Sequence, residues 1–469
     1  MIPLRSHTFD RGNRRILFAL ASLALLLRLL PLLRPGDAWT VLDDSQEYLA
    51  LVRGMHSGCG FARMFDGVCS SPELLRLPGY PSFVAMMPSL RAVVALQALL
   101  GAATCLVTGW FTYARWGLVA GVIAETLLAL DIPSIVASST IMSDCLFEAT
   151  LALAVVLQLS AIGRESIERG RIALALLAAV LLAFAVLLRA VAILLPLFAG
   201  APFLLMPRLA ARRRLTLCLI AILIPAAVIF AWTARNHLRT GRWTFTTEGP
   251  YNLYYYNAAG VLWYLNGGSL TALQDQLARA IGAKGPDEFV SPGQEREMLA
   301  RGSRVLLRHP LAAFAMLVRC FLWLAIVPDR ANLNALLATN ARSSVFLIAS
   351  QGLALRVRET LRSPLLSAFV ALQLPLIIST WIGVVLMLAQ HSSRTREELA
   401  LISIPLGLAV AMMLAGTGPG AIARFRMPAM PFLAMLAGAG WSQAVARRAR
   451  SSAFAAIAPK LVVRATAHA

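Results

Sequence analysis

The sequence has 469 residues, of which 58% are hydrophobic and only 14% are charged, and its mean hydropathy is +0.71. Ordinary soluble domains carry about 25% charged residues, so this composition excludes a soluble globular protein, a disordered chain and a coiled coil. It predicts an all-α protein that crosses a membrane many times.

The formal net charge is +20, from 43 Lys and Arg residues against 23 Asp and Glu residues. In a soluble protein such a charge would indicate nucleic-acid binding. Here the arginines cluster between apolar segments, which is typical of orientation by the positive-inside rule, so we expect no nucleic-acid partner. The clusters are Arg11, Arg14 and Arg15; Arg164, Arg169 and Arg171; Arg208 and Arg212 to Arg214; and Arg447, Arg448 and Arg450.

Apolar segments predict about 11 transmembrane helices, within a range of roughly 10 to 13. The first segment, 16–33, follows a basic N-terminus and predicts an uncleaved span with a cytoplasmic N-terminus. The stretch 172–206 is either two short spans hinged near Arg189 or a long tilted helix with a re-entrant piece. The other segments are 92–112, 118–138, 146–163, 172–188, 190–206, 215–234, 311–327, 366–389, 399–416 and 427–445.

Two hydrophilic stretches are too long to be turns: a first loop, 34–91, and a second loop, 235–310. Both follow odd-numbered spans and are therefore expected outside the cytoplasm, with short amphipathic helices inside them. They divide the chain into an N-terminal transmembrane module, 1–234, the second loop, and C-terminal helices, 311–469. Eleven spans would leave the C-terminus outside, whereas its arginines favour the cytoplasmic side. A further span around Val345 to Leu355 would resolve that conflict.

The first loop carries two motifs that could perform chemistry. Asp44 and Tyr48 are four residues apart and would share one helix face, although Asp44 followed by Glu47 also resembles a capping box. Further on, Arg76 precedes Pro78-Gly79-Tyr80 at the return to the membrane. A guanidinium there suits a phosphate, or is simply an interfacial anchor.

Three later segments also combine polar residues with a membrane boundary. Asp144 enters a span, where a carboxylate is either part of a site or a helix N-cap. The second loop begins with Arg235-Asn236 and continues to Asn252 and Tyr254, which suit a sugar or headgroup, or an aromatic belt. Near the end, Arg424-Phe425-Arg426 could hold an anion or flank a span.

Taken in order, these motifs resemble the GT-C superfamily of integral-membrane glycosyltransferases. The similarity is greatest to the bacterial branch of protein O-mannosyltransferases and lipid A aminoarabinose transferases. The motifs that carry it are Asp44-x-x-x-Tyr48, Arg76 before the proline, Ser143-Asp144-x-Leu146-Phe147, Arg235-Asn236, Asn252-Leu253-Tyr254 and Arg424-Phe425-Arg426-x-Pro428. The last motif has Phe425 where the family has tyrosine, so any role of that hydroxyl is lost.

The resemblance implies transfer of a monosaccharide from a polyprenyl phosphate to a lipid, glycan or protein acceptor, with inversion, on the periplasmic face of a bacterial inner membrane. It implies Asp44 as the base, with Asp43 as second choice, and an acidic role for Asp144. The implied phosphate ligands are Arg76, then Arg235 and Arg424. The implied sugar or acceptor contacts are Tyr48, Tyr80, Asn236, Asn252 and Tyr254.

A donor carried by a lipid agrees with the absence of a glycine-rich nucleotide loop from the sequence. Some relatives bind a divalent metal, but His56 and His237 belong to no recognisable ligand set, so no metal or other cofactor is predicted. Cys59 and Cys69 would form a disulfide in an oxidising compartment, or else remain free thiols.

Two other functions compete with this interpretation. A transporter or flippase of lipid-linked saccharides would line an anion path with arginines such as Arg189 and Arg319. No repeated halves are visible in the sequence to support it. A polysaccharide polymerase or ligase would use similar acceptor chemistry, but it would leave the Asp-x-x-x-Tyr motif unexplained.

Overall fold

A computed structural model of the chain describes residues 11–41, 43–162, 168–205, 210–285, 292–328, 364–389, 396–416, 418 and 423–466. Within these residues the chain is helical apart from one small β-hairpin in the first loop. The helices of the first half are α1 (Arg11–Leu29), α2 (Asp43–His56), α3 (Gly79–Ala85), α4 (Leu90–Trp116), α5 (Leu118–Ala129), α6 (Ile132–Ser139), α7 (Asp144–Ile162), α8 (Glu168–Leu188), α9 (Pro196–Ala199), α10 (Ala201–Leu205) and α11 (Ala211–Thr240).

The second half continues with α12 (Glu248–Tyr251), a π-helical stretch (Asn252–Ala258), α13 (Ala259–Asn266), α14 (Leu270–Ala280), α15 (Pro292–Arg308), α16 (Pro310–Ile326), α17 (Pro364–Ala389), α18 (Arg396–Ala415) and α19 (Met430–Thr466). Short 3₁₀ turns cover Leu30–Leu33, Ala38–Thr40, Ala190–Leu194 and Ala423–Ala429.

By length and composition, eight helices of the described chain could cross a membrane, or up to ten if each of two bent pairs is one span. The bent pairs are α5 with α6, at 53°, and α15 with α16, at 97°. The chain is therefore a multi-pass membrane protein. The eight spans are Arg11–Leu33, Leu90–Trp116, Asp144–Ile162, Glu168–Leu188, Ala211–Thr240, Ser367–Ala389, Glu398–Ala415 and Ala423–Ala449.

The apolar segments coincide with these spans except in three places. The segments 118–138 and 311–327 fall in the two bent pairs. The segment 190–206 is not one continuous helix: after the extended residue Arg189 it forms a 3₁₀ turn followed by α9 and α10. The expected span around Val345 to Leu355 lies outside the described residues.

The first loop contains a hairpin that the sequence analysis did not predict. Strand β1 (Ala62–Phe65) pairs antiparallel with β2 (Val68–Pro72), and Phe65 lies opposite Val68. Asp66 and Gly67 form the two-residue turn with φ angles of 48° and 80°. An Asp-Gly pair suits such a turn because both positions require positive φ.

A polar cluster inside the bundle stabilises the break between α5 and α6. Arg28, only 1% exposed, donates hydrogen bonds to the carbonyl oxygens of Leu128 (3.3 Å) and Ala129 (3.4 Å). On the other side of the break, Asp131 accepts from the backbone N–H of Ser134 at 3.1 Å and so caps α6. Both ends of the broken helix thus have partners, and α6 leads directly into the turn before Asp144.

Glycines let α19 approach its neighbours closely. A Cβ atom on Gly440 would lie 1.9 Å from the carbonyl oxygen of Gly383 in α17, and one on Gly438 would lie 2.3 Å from that of Ala120 in α5. Such small-residue contacts are a common basis of helix packing in membranes. They hold the start of α19, and the turn that carries Arg424, against the rest of the bundle.

Replacing Arg28 with methionine should destabilise the fold, because the Ala129 carbonyl oxygen loses the Arg28 donor and that of Leu128 keeps the Asp131 N–H at 3.3 Å. We expect the free energy of unfolding to fall by about 1–3 kcal/mol for such a loss, measured as a lower thermal unfolding temperature in detergent. Arg15→Met, on the exposed part of the same helix, is the matched control. Equal unfolding temperatures for the two variants would contradict the capping role of Arg28.

Candidate functional site

Asp44 lies in the first turn of α2, where the helix dipole favours a negative charge. Its Oδ1 accepts a hydrogen bond from Arg76 Nη2 at 2.9 Å, and its Oδ2 accepts one from Arg424 Nη2 at 2.7 Å. The predicted base therefore contacts two of the three predicted phosphate ligands. These two arginines come from the first loop and from the turn before α19, at opposite ends of the sequence.

Arg76 is held in this position by several other groups. Its Nε pairs with Glu47, and its backbone N–H donates to the Glu73 carboxylate at 3.0 Å. Its guanidinium also lies 5.4 Å from the centre of the Tyr48 ring, a cation–π contact. The guanidinium is thus pre-oriented, with a side-chain exposure of 16%.

A second layer of charges behind Arg76 was not predicted. The hairpin residue Arg63 pairs with Glu73, which is fully buried, and with Glu47, at 3.2 Å. The hairpin therefore joins the two carboxylates that orient Arg76. The Asp66-Gly67 turn was the sequence signal for it, because this pair between two short strands sets the hairpin's register.

Asp144 begins α7 and forms the other half of the charge cluster. It pairs with Arg189, and its Oδ1 lies 3.6 Å from Arg424 Nε. Its Oδ2 is buried and has no hydrogen-bond partner among the described residues. Arg424 therefore lies between Asp44 and Asp144, and the five residues form an alternating series: Arg76, Asp44, Arg424, Asp144, Arg189.

Arg189 reaches this cluster because α8 ends just before it. The backbone at Arg189 is extended, with φ −147° and ψ 140°, which turns the side chain away from the helix direction. Its guanidinium lies 6.0 Å from the Phe147 ring and 5.9 Å from the Phe425 ring. From the sequence, Arg189 was predicted only to mark a helix hinge or to line a transporter path, and the structure places it beside Asp144.

Tyr48 and Tyr80 pack against each other beneath the charges. Their ring centres are 4.9 Å apart at an interplanar angle of 71°. The Tyr48 hydroxyl donates to Ser143 Oγ at 3.2 Å, and the Tyr80 hydroxyl donates to Gln97 Oε1 at 2.8 Å. Both tyrosines connect the first loop to the membrane helices, while contact of either with a sugar stays a prediction.

The structure places Arg235 and Asn236 beside the first loop rather than on Asp44. The Arg235 guanidinium stacks 4.7 Å from the Trp232 ring and donates to the Glu73 carbonyl oxygen at 3.3 Å. The Asn236 amide donates to the carbonyl oxygens of Thr244 at 2.9 Å and Phe245 at 3.2 Å. These contacts join the end of α11 to both loops.

The remaining predicted residues lie in or near the second loop, apart from Asp43. Tyr254 is buried in that loop's own core and donates from its hydroxyl to the Leu277 carbonyl oxygen at 3.0 Å. Asn252 is exposed at the start of the π-helical stretch. Asp43 begins α2, but its side chain lies outside the described residues.

Comparison with solved structures identifies the fold. The archaeal oligosaccharyltransferase AglB from Archaeoglobus fulgidus, in complex with an inhibitory peptide and a dolichol-phosphate, matches with a TM-score of 0.52 and 16% identity over 95% of this chain and 51% of that one. Its apo form matches with a TM-score of 0.50 and 14% identity over 96% and 53%. The chain has the GT-C fold.

The chain spans about half the length of the oligosaccharyltransferase that it matches. ArnT from Cupriavidus metallidurans, in the apo state, matches with a TM-score of 0.41 and 15% identity over 92% of this chain and 78% of that one. No protein-family model and no curated protein matches the sequence. At these identities the comparisons establish the GT-C fold alone.

The neighbouring arginines determine the charge state of Asp44. Burial raises its pKa, but Arg76 and Arg424 together lower it by more, so the pKa lies well below its usual value of 3.8. Burial also raises the pKa of Tyr48. At neutral pH, Asp44 is therefore an anion between two guanidinium groups, beside a protonated phenol.

Cys59 and Cys69 are joined as a disulfide, with Cα atoms 5.8 Å apart. The bond ties the segment after α2 to β2, and so to the hairpin that orients Arg76. Cys105, Cys145, Cys218 and Cys320 are free. Among the residues that the structure describes, no group of three His, Cys, Asp or Glu side chains could hold a metal, and metal independence stays a prediction.

Removing the disulfide should loosen the hairpin. We expect Cys59→Ser with Cys69→Ser to lower the free energy of unfolding by roughly 2–4 kcal/mol, because the crosslink restricts the unfolded chain. Thermal unfolding with and without a reductant measures this. The wild type should respond to the reductant and the double variant should not, and Cys320→Ser is the control. A wild type that ignores the reductant would contradict a structural role.

The lowered pKa of Asp44 predicts a pH-dependent contribution to stability. Because the folded pKa is below the unfolded value of about 3.8, this contribution is fully present above that pH and disappears as the pH falls through the folded pKa. The difference in unfolding temperature between the wild type and Asp44→Asn should therefore be constant near neutral pH and shrink below about pH 4. A difference that does not change with pH would show that these ion pairs contribute nothing.

Proposed function

We propose that this protein is a glycosyltransferase that moves a monosaccharide from a polyprenyl-phosphate donor to a lipid, glycan or protein acceptor, with inversion of the anomeric centre. The observation that carries the proposal is the contact of one carboxylate, Asp44, with two arginines at the loop end of the membrane helices. A base and a cationic phosphate site are the two elements that this chemistry requires.

The donor's phosphate would bind to Arg76 and Arg424. Guanidinium groups present paired N–H donors that match phosphate oxygens, and both side chains are part-buried, at 16% exposure each. The archaeal oligosaccharyltransferase that shares this fold was solved with a dolichol-phosphate, which supports a lipid phosphate as the ligand class. We add Arg189 as a third cation near the phosphate. Arg235 would contribute its positive charge from behind the first loop, where it contacts the Glu73 carbonyl oxygen.

The reaction would be a single displacement at the anomeric carbon. The acceptor hydroxyl or amine gives its proton to Asp44 as its oxygen or nitrogen bonds to that carbon. The bond between that carbon and the phosphate oxygen breaks, and its electron pair leaves with the lipid phosphate. The transition state is oxocarbenium-like, and the arginines stabilise the charge that grows on the phosphate.

We place the protein in a bacterial inner membrane with the site on the periplasmic face. The basic N-terminus, with Arg11, Arg14 and Arg15, favours a cytoplasmic start. Arg447 and Arg448, at the end of the span Ala423–Ala449, favour the same side for that end of the span. The disulfide agrees with an oxidising compartment for the first loop.

The test is sugar transfer by purified wild type and Asp44→Asn, given a panel of polyprenyl-phosphate sugars and lipid, glycan and peptide acceptors. We expect the variant to lose about 100-fold or more of the rate, because general-base catalysis contributes about that much. Asp37→Asn is the matched control, because Asp37 is in the same loop but pairs with Arg91 at 4.0 Å.

Equal transfer by wild type and Asp44→Asn would exclude Asp44 as the base. No transfer by the wild type with any donor, while it still binds and moves lipid-linked saccharides across vesicles, would favour the transporter alternative. The acceptor that supports turnover identifies the acceptor class.

A further inference from the structure

Two roles in the proposed reaction require the same two guanidinium groups. Arg76 and Arg424 would hold the donor phosphate, yet both already donate to Asp44, one to each carboxylate oxygen, at 2.9 Å and 2.7 Å. Asp44, which must accept a proton, therefore already contacts the two arginines that must bind the donor phosphate.

A second nitrogen of each guanidinium also faces a carboxylate. Arg76 pairs through Nε with Glu47, and Arg424 Nε faces Asp144 Oδ1 at 3.6 Å. That Arg424 Nε is buried and forms no hydrogen bond within the part of the chain that the structure describes. A phosphate that binds here with good geometry must take N–H donors away from Asp44 or add its charge beside it.

Either event changes Asp44 in the same direction. A carboxylate between two guanidinium groups is a weak base, because the cations stabilise its charged form. A weak base accepts a proton poorly in the transition state. An anion beside a carboxylate, or the loss of a cation from it, makes the carboxylate a stronger base.

We propose that Asp44 and the donor phosphate compete for Arg76 and Arg424, so that Asp44 becomes an effective base only once the lipid phosphate has bound. This inference rests on the proposed function and deepens it. It implies an order in which the donor binds before the acceptor is deprotonated. It also implies the reciprocal effect, because linked equilibria are symmetric: the negative charge of Asp44 weakens phosphate binding.

The test is binding of farnesyl phosphate, a short polyprenyl phosphate without a sugar, to the full chain in detergent, measured by calorimetry. Asp44→Asn should bind it at least about threefold more tightly than the wild type, because the arginines are released from a competing anion. The matched control is again Asp37→Asn, which should bind as the wild type does. If Asp44→Asn binds equally or more weakly, the competition is wrong.

A second measurement uses only the wild type and so does not depend on folding of the variant. Difference infrared spectra on adding farnesyl phosphate should show a shifted carboxylate stretching band, as Asp44 exchanges its guanidinium partners. An unchanged carboxylate region in the presence of bound lipid phosphate would overturn the proposal.

The binding data also separate this inference from the proposed function. If the wild type does not bind farnesyl phosphate, the donor class of the proposed function is wrong. The proposed competition between Asp44 and the phosphate is then wrong as well. If the wild type binds it but Asp44→Asn binds no more tightly, the donor class is supported and only the competition is wrong.

Discussion

Charge compensation between arginines and carboxylates from distant elements is the interaction on which the candidate site depends. A charge beside the apolar part of a membrane is costly unless a partner compensates it. The alternating series Arg76, Asp44, Arg424, Asp144 and Arg189 meets this requirement, and the pairs of Arg63 with Glu47 and Glu73 extend it into the first loop. Each member fixes its neighbours, so the cluster behaves as one unit and changes at one position alter the charge balance at the others.

The position of the cluster in turn depends on hydrogen bonds and close helix contacts deeper in the bundle. Arg28 and Asp131 satisfy the two ends of the α5–α6 break, which directs the chain towards Ser143 and Asp144. Close contacts at Gly438 and Gly440 place α19, and with it the turn that carries Arg424. Irregular backbone at membrane depth is tolerated where its polar groups have partners inside the protein. The breaks in the helices are therefore what bring side chains from four separate segments together.

Hydropathy was sufficient to predict the multi-pass helical fold, because burial of backbone in lipid leaves helices as the main solution for such a composition. Hydropathy did not predict that 190–206 is divided into a 3₁₀ turn and two short helices, because an average over apolar residues does not register such breaks. The motifs placed Asp44, Arg76 and Arg424 in one site, and the structure brings them into contact. Spacing along one sequence could not choose between Arg189 and Arg235 as neighbours of that site, because only the extended backbone at Arg189 turns its side chain towards Asp144.

The contact between Asp44 and Arg424 joins residues 380 positions apart, and this separation has a consequence for biosynthesis. When the first loop has left the ribosome, the turn before α19 has not yet been synthesised. Until that helix inserts, Asp44 has one arginine instead of two, and Asp144 has Arg189 alone. The charge cluster is completed only when α19 has been synthesised, so a chain that stops before α19 is left with an incomplete anion site.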